Sequence, residues 1–329
     1  RLPDYYIARN ISPLLVMIGI VMPLMWIISS AIVWAFIGTS FWVALLIGGI
    51  LTPTDPVLAS SIISGELAEE SIPQRIRNIV SAESGANDGL ALPFVMLSIL
   101  FLTKAPAEAL SAFLVTVLIW EVGGALAIGL GIGLLAGFLL RRAERLQIPG
   151  QVAFLTMGVA MSVFALGFVK WLGGDGILAA FVAGVAFNAV VRSRLESRLE
   201  DVQEVASRFF LLPIFVFFGS ALPWERWWDL GWRGLALAAA ILLLRRIPPL
   251  LLLYRGVRPI YNRYDALFVG WFGPIGVAAL FYATLALREA HVEMAWVVGS
   301  LVICASVLVH GVTATWFTQA YGRAIARQR

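Results

Sequence analysis

The sequence predicts an all-α protein that crosses a membrane many times. Of its 329 residues, 60% are hydrophobic and only 13% are charged, and the mean hydropathy is +0.89. Soluble domains are about half apolar and carry roughly 25% charged residues. The apolar residues lie mainly in stretches of about 17–25 residues, which is the length of helix that spans a bilayer. We therefore expect a bundle of transmembrane helices embedded in lipid, without a soluble domain.

The composition also excludes several classes of function. Cys304 is the single cysteine, which rules out a disulfide framework and a cysteine-based metal site. The two histidines, His291 and His310, are too few and too far apart in the sequence to indicate a metal centre. The net charge of +4 does not indicate binding to nucleic acid, because the arginines are distributed by membrane side. No cofactor and no nucleic-acid partner are expected.

The apolar stretches predict about ten spans. In chain order they lie near residues 13–37, 42–64, 79–102, 110–140, 150–171, 176–191, 209–223, 232–253, 264–286 and 294–318. The stretch at 110–140 is longer than a straight span needs, so we expect it to be tilted. Gly129, Gly133 and Gly137 repeat in it at four-residue spacing, which indicates a helix-packing seam.

The basic residues orient these spans. With about ten spans, both ends of the chain lie on one side, and most of the 24 lysines and arginines fall on that same side. Positively charged loops mark the cytoplasmic side of a membrane protein, so we expect both termini in the cytoplasm. One misplaced span would move every later loop to the opposite side of the membrane. The unequal distribution of basic residues between the two sides therefore supports the number of spans.

The first polar constellation lies in the stretch 79–100, which is long and apolar enough to span a bilayer. On a helix its four polar side chains fall within an arc of roughly 140°; they are Glu83, Ser84, Asn87 and Asp88. Small residues occupy the opposite side, where a neighbouring helix backbone can approach closely. A carboxylate at mid-membrane depth costs about 2.5–3.5 kcal/mol, so two acids on one helix indicate an ion site.

The second constellation is the sequence LTPTDP at 51–56, in the middle of the 42–64 span. A proline lacks an N–H and pushes the preceding residue out of helical conformation, so Pro53 and Pro56 should unwind this helix. Irregular backbone at that depth is tolerated only inside protein or beside a wet cavity. Asp55 adds a third buried acid, which could contribute to an ion site, cap the second half-helix, or do both.

The third constellation is the sequence GWFGPIG at 270–276, midway through the 264–286 span. Its glycines and proline, in particular Gly273, Pro274 and Gly276, should break this helix as well. Two interrupted spans, one in each half of the chain, are expected of inverted repeats whose broken helices cross at a binding site.

The fourth constellation is a pair of arginines, Arg245 and Arg246, inside the 232–253 span. A guanidinium cannot neutralise itself by losing a proton, so each arginine needs a partner or a wet path. We expect one of them to pair with Glu83, which would hold that carboxylate ionised and leave Asp88 as the group that titrates. We expect the other to reach the membrane interface.

These residues resemble the monovalent cation/proton antiporters of the sodium/proton exchanger type (the NhaP-like group), and most closely their fungal plasma-membrane branch. The resemblance rests on TPTDP, SAESGANDGLALPF, GWFGPIG and the VHGVT segment at 309–313, and it covers essentially the whole chain. It implies about thirteen spans in a homodimer of the plasma membrane, with a core domain that moves as an elevator against a dimerisation domain. The spans found here would follow the third of these, so the N-terminal spans would be absent from residues 1–329.

The resemblance also implies roles for individual residues. Asp88 would bind cation and proton in competition, preceded by Asn87, while Thr54, Ser84 and Glu83 would complete or brace the site. The core, ion-binding helices would be those at about 42–102 and 232–286. The remaining helices would support the core and form the dimer. Many relatives carry an arginine in the second broken helix where this chain has Ile275, which leaves Arg245 or Arg246 as the partner of Glu83. His310 is expected to serve packing or a cytoplasmic-side hydrogen bond rather than a proton relay.

The chemistry of the site follows from these assignments. Hard oxygen ligands from Asp88, Thr54, Ser84 and freed carbonyls suit a small alkali cation, Na⁺, Li⁺ or K⁺. Asn87 stands where a second acid could have been, which argues for one cation per proton and hence electroneutral exchange. Two alternatives remain: an intramembrane aspartyl protease that uses Asp55 and Asp88 as a dyad sharing one proton, and a cation channel.

Overall fold

A computed structural model of the chain describes Pro3 and residues 6–55, 66–146, 151–191 and 196–327. These residues form helices joined by short turns, and no β-strand occurs in those ranges. The all-α class that composition predicts is thus confirmed for the described part of the chain. Pro56, the second proline of the first predicted break, lies outside the described residues.

The first third of the chain begins with short helices and then forms longer ones. In order they are α1 (Tyr6–Arg9), α2 (Ile11–Val16), a π-helical turn (Met17–Val21), α3 (Met22–Ile37), α4 (Phe41–Ile50), α5 (Glu66–Ser71), α6 (Gln74–Leu90), α7 (Leu92–Thr103) and α8 (Pro106–Ala112). Pro93 occupies the second position of α7, where its missing N–H is not needed. α6 and α7 therefore follow one another almost without interruption.

The remaining helices are longer on average. They are a π-helix (Phe113–Gly123), α9 (Gly124–Arg145), α10 (Gln151–Trp171), α11 (Gly176–Val190), α12 (Glu196–Ser220), α13 (Trp224–Leu244), α14 (Ile247–Leu253), a 3₁₀ turn (Tyr254–Gly256), α15 (Arg263–Trp271), α16 (Val277–Ala290) and α17 (Glu293–Ala326).

Within the described ranges, five helical segments are long and apolar enough to cross a membrane; they are Ile11–Ile37, Gln74–Thr103, Pro106–Arg145, Trp224–Gly256 and Glu293–Ala326. Each of them overlaps one of the spans predicted from the sequence. Shorter apolar helices overlap four further predicted spans; they are Phe41–Ile50, Thr156–Trp171, Gly176–Val190 and Val205–Ser220. The last predicted stretch, 264–286, is divided between α15 and α16, as expected of an interrupted helix.

The chain divides into two compact units. One consists mainly of Ser111–Ala221, and the other mainly of Ile7–Leu110 together with Leu222–Arg329. The second, called the site unit below, contains all the polar constellations found in the sequence. The core of the first includes a cluster of buried apolar side chains from three of its helices, among them Leu140, Met161 and Phe187.

The glycine seam predicted on α9 packs directly against α11. A Cβ added at Gly129 would lie 2.6 Å from the carbonyl oxygen of Ala179, and one added at Gly137 would lie 2.8 Å from the Cβ of Val190. Between them, a Cβ at Gly133 would overlap Ala183. The small residues therefore let the two backbones approach closely, and the predicted packing seam is confirmed.

In the site unit, α4 lies among several other helices and contacts α3, α7, α16 and α17. Two adjacent glycines allow this crowding. The backbone of Ser30 on α3 lies against Gly48, and a Cβ added at Gly49 would lie 3.3 Å from the backbone of Phe94 on α7. The end of α4 is thereby fixed at the centre of the unit, where its helix unwinds.

We expect Gly133→Ala to lower the melting temperature of the detergent-solubilised protein. The new methyl group would collide with the backbone of α11, and overpacking of this kind costs about 1–3 kcal/mol. Gly131→Ala is the matched control, because nothing lies within 4 Å of a Cβ at that position of the same helix. It should leave the melting temperature unchanged or raise it, since alanine favours a helix over glycine by roughly 0.5–1 kcal/mol. Equal shifts for the two variants would contradict the seam.

Candidate functional site

Two unwound segments meet inside the site unit. Residues 51–55 follow the end of α4, and residues 272–276 separate α15 from α16. The backbone N–H of Asp55 donates to the carbonyl oxygen of Pro274 at 2.8 Å. The Oδ2 atom of Asp55 accepts from the backbone N–H of Val277 at 2.8 Å. A single residue therefore joins the two segments through both its backbone and its side chain.

Asp55 thus caps a helix that is distant in sequence. Val277 is the first residue of α16, so the buried carboxylate lies at the positive end of that helix dipole. The sequence allowed a cap on the second half of the helix that Asp55 itself belongs to, but that half lies outside the described residues. The observed contact instead uses Asp55 to satisfy backbone freed by the second break.

A buried hydrogen-bond network connects the first break to α6. The side-chain amide of Asn87 donates to Thr54 Oγ1 at 2.7 Å and to Glu83 Oε1 at 2.9 Å. Its Oδ1 atom accepts from the backbone N–H of Thr54 at 3.2 Å. The hydroxyls of Thr54 and Ser84 lie 3.1 Å apart. Four of the residues predicted from the sequence are therefore brought together, and Asn87 is the hub of their network.

Glu83 forms a buried ion pair with Arg246. The two guanidinium nitrogens Nη1 and Nη2 donate to the two carboxylate oxygens at 2.7 and 2.8 Å, and both side chains are 2% exposed. The Nε atom of Arg246 donates to the carbonyl oxygen of Val269 at 3.0 Å. Gly273 makes room for this arrangement, because a Cβ there would lie 2.5 Å from the Cδ of Arg246. Of the two arginines that the sequence left open, the second is the partner of Glu83.

Arg245 has a different environment, and the expectation that it reaches the interface is wrong. The residue is 2% exposed. It donates hydrogen bonds to carbonyl oxygens of both unwound segments, namely that of Leu51 and, at 2.5 Å, that of Gly273. A further contact of 3.4 Å reaches the carbonyl oxygen of Pro53. The physical reason is that the breaks supply acceptors at depth, so this guanidinium is solvated by backbone rather than by water.

Asp88 lies outside this network. Its Oδ1 atom is buried, and its carboxylate forms no hydrogen bond within the described part of the chain. Only its backbone is engaged, since the carbonyl oxygen accepts from the hydroxyl of Tyr282 at 2.6 Å. The nearby charges that act on it are those of Asp55 and Glu83, both negative. The two acids of α6 therefore differ sharply: Glu83 is fully neutralised by a partner and Asp88 is not.

The second break is fastened to α17. The N–H of Ile275 donates to the hydroxyl of Ser306 at 2.8 Å, and the side chain of Ile275 is fully buried. The Nε2 atom of His310 lies 2.9 Å from the carbonyl oxygen of Trp271, the last residue of α15. His310 therefore forms a hydrogen bond at the break, and the membrane side on which this contact lies stays a prediction. Gly276 is the residue immediately before α16.

Sequence reasoning missed two residues of the site. Tyr282 binds the backbone of α6 at Asp88, and Ser306 binds the backbone of the second break. A signal for Tyr282 existed, because a buried tyrosine hydroxyl in an apolar helix needs a hydrogen-bond partner. No such signal marked Ser306, since a serine in a membrane helix usually satisfies itself on its own backbone.

Comparison with known proteins gives a consistent result. The model of the family described as "Sodium/hydrogen exchanger, transmembrane" matches residues 1–320. A probable Na⁺/H⁺ antiporter of Schizosaccharomyces pombe is 32% identical, over 96% of this chain and 46% of its own length. A second Na⁺/H⁺ antiporter of S. pombe is 31% identical, over 94% of this chain and 72% of its own length. The family resemblance read from the motifs is thereby confirmed.

A solved structure supports the fold. The sodium proton antiporter MjNhaP1 of Methanocaldococcus jannaschii matches with a TM-score of 0.70 at 20% sequence identity, covering 96% of this chain and 80% of the other. The chain spans less than half the length of the first S. pombe relative. The three proteins named here are antiporters by description, which are transporters and not enzymes.

The ion pair predicts a specific coupling between two substitutions. Glu83→Gln and Arg246→Gln should each destabilise the protein strongly, because breaking a buried pair costs about 3–5 kcal/mol. The double variant should lose less unfolding free energy than the two single variants together, with a coupling energy of at least about 1 kcal/mol. Thermal unfolding in detergent measures all members of the cycle.

The neighbouring arginine provides the control for this cycle. Arg245→Gln combined with Glu83→Gln should show a markedly smaller coupling, because Arg245 binds carbonyl oxygens rather than the carboxylate. Additive losses for Glu83 and Arg246 would rule out the pairing as an energetic unit.

Proposed function

The chain belongs to the sodium/hydrogen exchanger family, and we propose that it is a secondary transporter that exchanges an alkali cation for protons. The observation that carries this proposal is the contrast between the two acids of α6. Glu83 shares both carboxylate oxygens with Arg246, whereas the buried Oδ1 of Asp88 has no hydrogen-bond partner among the described residues. Asp88 is thus the acid that is available to a transported ion.

Exchange follows from competition at this one carboxylate. A charge without a partner is costly away from water, and at membrane depth the cost is about 2.5–3.5 kcal/mol. A proton or a bound cation can each discharge Asp88, and the two exclude one another. If only the discharged forms cross the membrane readily, each cation carried one way requires protons carried the other way. No cofactor is needed for this cycle.

Oxygen atoms around the first break suit an alkali cation. The hydroxyls of Thr54 and Ser84 lie 3.1 Å apart, and both are buried. Together with the carboxylate of Asp88 they would offer the hard ligands that Na⁺, Li⁺ and K⁺ prefer. Asn87 would act as a brace, because its amide already binds Thr54 and Glu83. Asp55 would contribute to the electrostatic field of the site from its position at the N-terminus of α16.

We further propose one cation per proton and hence electroneutral exchange, since Asn87 stands beside Asp88 in place of a second acid. We also propose about ten spans of a thirteen-span, inverted-repeat architecture, with two broken helices that cross. The meeting of the unwound segments at Asp55 supports this crossing.

The division of the chain supports an elevator proposal. The site unit, with core helices at about 42–102 and 232–286, would be the part that moves. Ser111–Ala221 would belong to the dimerisation part of a homodimer. The expected location is the plasma membrane with the C-terminus in the cytoplasm, as the distribution of basic residues indicates.

Neither alternative function has an observation in its favour. A protease dyad would need Asp55 and Asp88 to share a proton, but Oδ2 of Asp55 accepts from the backbone of Val277 and the carboxylate of Asp88 forms no hydrogen bond within the described residues. A channel would not need a carboxylate that binds cation and proton in competition, and it would conduct cations without proton coupling.

The proposal is tested by proton flux in everted vesicles that carry the protein. With an acidic interior and a pH-sensitive dye, addition of Na⁺, Li⁺ or K⁺ should dequench the dye as protons leave. Asp88→Asn should abolish this response, because an amide cannot alternate between proton and cation. Asp229→Asn, the same substitution at an exposed position, should retain it. Exchange at the original rate in the Asp88→Asn protein would overturn the assignment, and cation flux without proton movement would indicate a channel.

A second substitution tests the cation ligands. Thr54→Val keeps the shape of the side chain but removes its hydroxyl, and it should raise the cation KM about 2- to 10-fold, the range for one lost hydrogen-bonding group. Thr52→Val is the matched control, because that hydroxyl donates to the carbonyl oxygen of Gly48 in the preceding helix α4. An unchanged KM in the Thr54 variant would remove Thr54 from the ligand set.

A further inference from the structure

The turn between α14 and α15 contains a basic pocket that the transport site does not use. An open cavity of about 420 Å³ is lined by Arg255, Arg258, Ile260 and Tyr261. This volume falls within the roughly 300–1,000 Å³ of pockets that hold small ligands. We call these four residues the arginine pocket. All of them belong to the site unit.

The turn that forms the arginine pocket is folded. A 3₁₀ turn, Tyr254–Gly256, leads into it. The N–H of Val257 then donates to the carbonyl of Tyr254 at 3.0 Å, and the N–H of Ile260 donates to that of Val257 at 2.7 Å. Val257 and Ile260 are buried at 0% and 2% exposure. These two apolar anchors fix the backbone on which the arginines stand.

A buried acid fastens the far side of the same turn. Asp265 is fully buried, and its Oδ2 accepts from Arg75 at 2.6 Å and from the N–H of Tyr261 at 2.9 Å. Its Oδ1 accepts from the hydroxyl of Tyr321 at 2.6 Å. Arg75 also donates to the carbonyl oxygen of Pro259. The pocket is therefore tied to α6 and α17, and it is a preformed feature rather than a loose loop.

The arginine pocket carries positive charge that no acid of the described residues pairs with. Asp265 is the only acid in the sequence YRGVRPIYNRYD at 254–265, and Arg75 already neutralises it. Arg255 and Arg258 are exposed, and neither forms an ion pair with another described residue. The guanidinium of Arg255 lies 5.9 Å from the ring of Tyr254. Two guanidinium groups at the rim of one cavity, without an ion-pair partner among the described residues, indicate an anionic ligand with the geometry of a phosphate.

The surroundings indicate that the anion belongs to a lipid. The pocket follows directly on the apolar helix α14, where Leu252 is 79% exposed, and Tyr261 at the rim is 70% exposed. Tyrosines with this exposure are typical of the membrane–water interface. The distribution of basic residues assigns this turn to the cytoplasmic side, whose leaflet is rich in anionic lipids. We propose that the arginine pocket binds the phosphate of an anionic phospholipid headgroup, with the acyl chains along α14.

Native mass spectrometry of the full chain tests this proposal. The purified protein is loaded with phosphatidylglycerol, with phosphatidylcholine, or with inorganic phosphate alone, and the bound fraction is measured. We expect retention of phosphatidylglycerol over phosphatidylcholine. Arg255→Gln combined with Arg258→Gln should weaken it about thirtyfold, because each arginine near an anionic lipid surface strengthens binding roughly fivefold. Cation/proton exchange by the double variant in phosphatidylcholine vesicles checks that it is folded.

Arg263→Gln is the matched control, because Arg263 is exposed in the same segment but lies against the ring of Tyr264 and does not line the cavity. It should retain phosphatidylglycerol as the original protein does. Three results would overturn the proposal: equal retention in the double variant, an equal loss in the Arg263 control, and binding of inorganic phosphate without preference for the anionic lipid. The last would assign the pocket to a soluble phosphate.

Discussion

The site depends on two adjacent buried arginines, of which one binds backbone carbonyl oxygens and the other neutralises a carboxylate. Breaking a helix at membrane depth leaves carbonyl oxygens without donors, and burying a guanidinium leaves donors without acceptors; either alone is costly. Arg245 solves both problems at once by donating to Leu51 and Gly273, one from each break. Arg246 finds its acceptors in the carboxylate of Glu83, and the two buried charges neutralise one another. The breaks and the arginines are therefore interdependent.

This arrangement gives two acids on one helix separate tasks. Because Arg246 engages both oxygens of Glu83, that carboxylate is a fixed part of the scaffold and also receives the amide of Asn87. The buried Oδ1 of Asp88 forms no hydrogen bond with a described residue, and two charged groups near it, Asp55 and Glu83, are both acids. A site with two unpaired acids would need two counter-ions at this depth. Under the proposed exchange, the neutralised Glu83 leaves Asp88 as the one acid of α6 that alternates between cation and proton.

The sequence could predict which kinds of residue the site needs, but not all of their pairings. Prolines and glycines located both breaks, and helical periodicity placed Glu83, Ser84, Asn87 and Asp88 on one face, because these are local properties of the chain. The sequence could not choose between the two neighbouring arginines. Consecutive residues on a helix point about 100° apart, so only one of them can face Glu83, and the spacing does not say which. Only the position of α6 relative to the bend between α13 and α14, where both arginines lie, decides which one meets Glu83.

The role of Asp55 was out of reach for the same reason. Its carboxylate accepts from Val277, 222 residues further along the chain. A contact of that range depends on how the whole unit folds, and no local spacing encodes it. The cap that residue type suggested, on the second half of the same helix, lies outside the described residues, whereas the contact with α16 is known only from the tertiary structure.

These contacts constrain how the site can move. Asp55 binds the backbone of both Pro274 and Val277, and Arg245 spans the same two segments. A motion that separated the two segments would break these contacts. Arg245 would lose carbonyl acceptors and Asp55 would lose its N–H donor, and each buried charge left without its partners would cost several kcal/mol. A motion that carries both segments together leaves every one of these contacts intact. For the exchange cycle proposed above, this geometry favours a motion in which the two broken helices travel as one body.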